Sequence, residues 1–108
     1  MVNPLLEFKS LAAQTLTSAG TAQSISVSEI NVEAALIYAD SANVGTIFIG
    51  GSTVDSTNGI PLAAGHALPV GSDRSHGATS DIDLKSIFFD GTNTSDKVRV
   101  MYMQRTPG

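Results

Sequence analysis

Between Glu33 and Val70 no apolar run exceeds six residues, and each is closed by Gly, Pro or Asp. Ala34-Ala35-Leu36-Ile37-Tyr38-Ala39 is too short for a helix of ordinary length. Bounded by Asp40-Ser41-Ala42-Asn43, it reads as a buried strand. Thr46-Ile47-Phe48-Ile49-Gly50 follows and is β-branched and aromatic. Asn43 to Gly45 can supply the positive φ that a hairpin connection needs, so an antiparallel pair is the simplest expectation. Both strands are apolar on both faces, which places the pair between two layers, or between a layer and a partner chain.

The stretch Asn58-Gly59-Ile60-Pro61-Leu62-Ala63-Ala64-Gly65-His66-Ala67-Leu68-Pro69-Val70 continues extended, because each proline removes a ladder donor and biases the residue before it toward β geometry. Pro61 and Pro69 argue for edge positions. Ala63 to His66 reads as a tight turn with Gly65 at positive φ, folding Ile60-Pro61-Leu62 back against Ala67-Leu68. An apolar strand, a short turn, a strand ending near Gly, a polar loop, then Gly-Ile-Pro-Leu-x-x-Gly and another strand: this order resembles small phage virion proteins of the capsid decoration type. The resemblance runs from the first of these strands to the last strand of the chain.

The flanking segments fit the same class. Met1 to Leu6 reads as an arm and Phe8 to Leu16 as a strand, with a helical turn over Met1 to Ala13 as the alternative. Ser18 to Thr21 is a turn. Gln23-Ser24-Ile25-Ser26-Val27 alternates with period two, pointing Ile25 and Val27 inward, and Ile30 and Val32 keep that parity toward the sheet edge. Gly71 to Ser80 is a polar loop. Ile82 and Leu84 differ in parity from Ile87 and Phe89, so a bulge or turn near Lys85-Ser86 resets the register. Asp90 to Asp96 reads as a hairpin loop and Lys97 to Gln104 as the last strand, with Val98, Val100 and Tyr102 on one face and Arg99, Met101 and Met103 on the other. Two readings of the methionines stand: they meet a partner, or they face a second sheet.

Seven or eight short strands with regular turn signals predict an all-β fold, a small antiparallel β-sandwich of jelly-roll-like form, with an open β-barrel second. The expected organisation is an N-terminal arm over 1–7, a single β-sandwich domain over 8–104 and a tail over 105–108.

Charged residues are 15% of the 108, well below the usual share of about a quarter, and Ser plus Thr make up about a fifth. Such a neutral polar surface suits a protein packed against copies of itself or a larger shell. The net charge of −4 argues against phosphate-backbone binding, and Lys9, Arg74, Lys85, Lys97, Arg99 and Arg105 form no dense cluster, so no direct nucleic-acid partner is expected. No cysteine is present, which excludes disulfides and thiolate metal sites. No apolar run is long enough for a membrane span, and the first residues lack the basic and apolar regions of a secretory signal. Assembly in a host cytoplasm is the expectation.

Residue chemistry assembles no catalytic constellation. His66 and His76 are the only histidines, and no G-x-S-x-G elbow accompanies them. Either could join Asp73, Asp81 or Asp83 at a metal, but no ligand spacing supports this. Asp90 to Asp96 lacks the order of a calcium loop, and Gly50-Gly51-Ser52-Thr53 lacks the lysine of a phosphate cradle. No enzyme, cofactor or metal site is expected. The resemblance implies a capsid decoration or cement protein on the outer surface of a phage head, a homotrimer bound to the major capsid protein and holding neighbouring capsomers together. Candidate contacts are Leu5, Leu6 and Phe8 in the first segment and Arg99, Met101 and Met103 on the last strand. The competing class is a carbohydrate- or receptor-binding β-module of a phage tail or fibre using the loops Gly71 to Ser80 and Asp90 to Asp96. The absence of Trp, with Tyr38 and Tyr102 both on expected strands, weakens it.

Overall fold

The computed structural model describes residues 6–71 and 82–105, with Leu6 and Arg105 described through the backbone alone. Leu5, Asp73, His76, Asp81, most of the Gly71 to Ser80 loop, and the tail from 106 onward lie outside the described residues.

Eleven strands are present among the described residues: β1 (Leu6–Ser10), β2 (Gln14–Thr15), β3 (Gln23–Ser24), β4 (Asn31–Val32), β5 (Ala34–Ala39), β6 (Ile47–Gly50), β7 (Ile60–Leu62), β8 (Ala67–Gly71), β9 (Ile82–Asp83), β10 (Phe88–Gly91) and β11 (Lys97–Arg105). A single 3₁₀ turn, Leu84–Ser86, is capped by the Asp83 carboxylate and separates β9 from β10, which is the register reset expected near Lys85. One sheet has the order β1-β11-β5-β8, with β2 also on β11; the second has the order β3-β10-β6-β7; β4 and β9 pair separately. Every pairing is antiparallel. Counted over the eight principal strands, the larger sheet runs first, eighth, third, sixth and the smaller second, seventh, fourth, fifth, the order of a double-sheet jelly roll. The fold is therefore the expected sandwich, with two separate sheets and no closed barrel.

The core lies between the sheets. Ala35, Ile37 and Ala39 from β5 and Val98, Val100 and Tyr102 from β11 meet Ile47 and Ile49 from β6, Leu62 from β7 and Phe89 from β10. Leu16, Ile25, Val32 and Leu84 close its ends. Burying side chains of this size contributes about 1.5–3 kcal/mol each, so the inward parity of β5, β6 and β11 fixes which face of each strand turns in.

The topology corrects several expectations. β5 and β6 do not form a hairpin: β5 lies between β11 and β8, and β6 between β10 and β7, in different sheets. The departure occurs at Asn43, whose side chain donates to the Lys97 carbonyl at 2.8 Å and accepts the Lys97 N–H at 2.7 Å. It takes the place of a strand neighbour at the start of β11, and the chain leaves the sheet there. β7 and β8 likewise part company across the Ala63–His66 turn, although Gly65 does adopt positive φ (+82°) and His66 N donates to Ala63 O at 3.0 Å. The Asp90 to Asp96 segment crosses between sheets and is no hairpin loop. Among consecutive principal strands, β6 and β7 alone pair directly.

Val27 does not point inward; it is 79% exposed, while Ile25 is fully buried. Hydroxyls explain this. Ser24 Oγ donates to Ser26 O and Ser26 Oγ to Ser28 O, curling the chain out of strand geometry after Ser24. Leu6 and Glu7, placed by the sequence in an arm over 1–7, pair with Arg105 and Gln104 in β1, and residues 1–5 lie outside the described residues. The strand reading of the first segment holds over Leu6–Ser10 and Gln14–Thr15, which excludes a helix there. Pro61 and Pro69 do lie on the edge strands β7 and β8.

Candidate functional site

The polar loops are occupied with holding the fold. Asp96, 4% exposed, accepts the N–H groups of Val44 at 2.9 Å and Gly45 at 2.8 Å. Asp90, 3% exposed, accepts those of Gly20 at 2.9 Å and Gly91 at 2.7 Å. Thr92 Oγ1 accepts from Thr46 N and Thr94 Oγ1 from Ala19 N, each at 3.0 Å. The oxygens that gave Asp90 to Asp96 a ligand-like pattern thus bind backbone N–H groups of two other loops, around Gly20 and Gly45, and of Gly91 in the segment itself. Asp83 Oδ1 is engaged in the same way, by Ile30 N and Lys85 N. His66 sits exposed in the β7–β8 turn. Among the described residues no group of three or more His, Asp or Glu is placed to hold a metal ion.

The outer face of the larger sheet is different. Side chains of β11 alternate, so Val98, Val100 and Tyr102 (0%, 2% and 8% exposed) enter the core while Met101 and Met103, each 37% exposed, point away. Register then decides what joins them, because directly opposed residues in an antiparallel pair share a face. Met103 lies opposite Phe8 on β1 and Ala34 on β5; Met101 lies opposite Ser10 and Leu36; Leu36 lies opposite Pro69 on β8. Phe8 is 67% and Leu36 38% exposed. An apolar band therefore crosses all four principal strands of the sheet.

Two shallow concavities mark this band. One, about 370 Å³, is lined by Ser10, Leu11, Leu36, Tyr38, Arg99 and Met101 among others. The second, about 240 Å³, is lined by Phe8, Ala34, Leu36, Pro69, Met101 and Met103 among others. Leu36 and Met101 belong to both. Charge closes one end: Arg99, opposite Tyr38, reaches Asp40 Oδ2 at 3.4 Å. The Asp40 carboxyl is held below its ordinary value, chiefly by the Ala42 N–H and, against the opposing effect of burial, by the Arg99 guanidinium.

Phe8, Arg99, Met101 and Met103, named from the sequence as contact candidates, are thus brought onto one face. Leu6 pairs with Arg105 in the β1–β11 register, and Leu5 lies outside the described residues. Sequence reasoning missed Leu36, Tyr38 and Pro69. The sequence places Ala34 to Ala39 between two layers or between a layer and a partner chain; in the single chain its inward half is buried and its outer half is partly exposed. Period-two parity within that segment was the available signal, but only the β5–β11 register shows that the outer half joins the methionines.

Searches against protein-family models, curated proteins and solved structures find no match for this chain.

Proposed function

We propose that this protein is a non-enzymatic structural module that docks through the outer face of its larger sheet, as a capsid decoration or cement protein docks onto a phage head. The observation that carries this reading is the apolar band of Phe8, Met103, Met101, Leu36 and Pro69. Contiguous apolar surface crossing a whole sheet marks an interaction surface. Methionine suits it, because the unbranched thioether adapts to the shape it meets. Burial of the band against a shell subunit supplies the attachment, and Arg99 with Asp40 gives one polar end that fixes orientation. Jelly rolls serve in capsid and lectin domains alike, so the fold by itself does not choose between them.

Photo-methionine incorporated at positions 101 and 103 provides the test, in head particles purified from cells that make the protein. Cross-links from both positions to a shell subunit, lost with the particles when Met101→Ser and Met103→Ser are combined, are the expected result. Particles that lack the protein would sink the reading. Specific binding on a glycan array, abolished by substitutions in the Asp90 to Asp96 loop, would replace it with the carbohydrate-binding alternative.

A further inference from the structure

We infer that β1 is a self-recognition edge, on which a second copy of this chain adds its own β1 antiparallel about a two-fold axis at Phe8. Among the described residues β11 is the only strand paired with β1. Leu11 N donates to Val100 O at 2.9 Å, and hydrogen-bonded positions alternate along an antiparallel strand. Lys9, opposite Tyr102, and Glu7, opposite Gln104, therefore aim their N–H and C=O groups at β11. Those of Leu6, Phe8 and Ser10 point to the opposite side.

A two-fold axis at Phe8 pairs that edge with itself. Phe8 meets Phe8 of the second copy, and Leu6 meets its Ser10, all at hydrogen-bonded positions. Glu7 then stands opposite Lys9 of the second copy, twice by symmetry, at the non-hydrogen-bonded positions where side chains are closest. Each opposition is between unlike charges. In the single chain the two side chains are about half exposed and 3.9 Å apart along the strand, and Lys9 Nζ also donates to Gln104 Oε1 at 3.1 Å, so their partners are surface contacts.

The other edge of the same sheet lacks these properties. Pro69 on β8 has no N–H to offer at the position opposite Leu36, which blunts that edge and disfavours a ring closed by β1 meeting β8. Within the larger sheet, an isologous pair through β1 is the edge pairing these features favour. It extends the larger sheet across the axis and sets the two Phe8 side chains next to each other, joining the apolar bands of both copies. The pairing does not depend on what that band docks onto.

Sedimentation equilibrium of the full chain tests it over a concentration series, with circular dichroism to confirm folding of every variant. Glu7→Lys places like charges opposite each other at both pairs and is expected to raise the dissociation constant about tenfold or more. Lys9→Glu does the same, and the double exchange E7K/K9E restores unlike pairs and recovers association. In hydrogen exchange, the Phe8 and Ser10 amides gain protection as concentration rises. A folded parent that stays monomeric to about 1 mM overturns the inference. So do a double exchange that fails to recover, or association that responds to Met101→Ser and Met103→Ser but not to the charge changes.

Discussion

The buried carboxylate of Asp96 accepts the backbone N–H of Gly45 at 2.8 Å, joining two inter-sheet crossings 51 residues apart in the chain. Val44 N donates to its other oxygen. Asp96→Ala leaves two N–H groups without their charged acceptor and is expected to cost about 2–4 kcal/mol, read from urea denaturation. Asp96→Asn, which keeps one carbonyl acceptor, should lose less.

Gly45 is required by this close approach. A Cβ there would run into Thr92 Oγ1 and come within 3.1 Å of Asn93 Cβ. Gly45→Ala is expected to destabilise by about 1–3 kcal/mol, since the two loops must separate to admit it. Gly51, where an added Cβ meets nothing within 4 Å, is the control, and Gly51→Ala should stay within about 0.5 kcal/mol of the parent in the same assay.

Phe89 is fully buried at the centre of the smaller sheet. Truncation by Phe89→Ala should cost about 3–5 kcal/mol, which thermal and chemical unfolding would both register. Val27→Ser, at a position the sequence marks as inward and the structure leaves 79% exposed, should change stability by less than about 0.5 kcal/mol.

Acid sensitivity follows from Asp40 and Asp55, both held below the ordinary carboxylate value. At Asp40 the main cause is the Ala42 N–H; at Asp55 it is the Thr57 hydroxyl, followed by the Thr57 N–H. Because the folded pKa is the lower one, the stabilisation is complete above the unfolded value and disappears as pH falls through the folded value. Denaturation midpoints measured from neutral pH into acid should therefore decline, and Asp40→Asn or Thr57→Ala should each flatten part of that decline.

What could be read in the chain beforehand follows the range of the interactions involved. Proline's missing donor and glycine's positive φ are properties of single residues, so Pro61 and Pro69 on edges and Gly65 in its turn were legible. Parity on β11 was legible for the same reason. Partner choice was not. A sequential hairpin is the shortest closure, but here Asn43 engages both the N–H and the C=O of Lys97 where the chain leaves for the other sheet. Val27 was misread because a period-two pattern does not reveal that Ser24 and Ser26 turn their hydroxyls onto the backbone. Of the candidate site, the methionines were visible, while Leu36 and Pro69 joined them only through pairings set by the whole topology.

Pairing of β1 with β11 also has a temporal meaning. Leu6 finds its neighbour at Arg105, far along the chain, and among the described residues no strand made before β11 pairs with β1. Synthesis from the N-terminus therefore delivers the first strand long before the one that covers it. The larger sheet closes only when β11 has left the ribosome, and folding dominated by such distant pairings runs in about milliseconds to seconds. Through that interval Phe8 and the free strand around it are available to chaperones, and to neighbouring nascent chains.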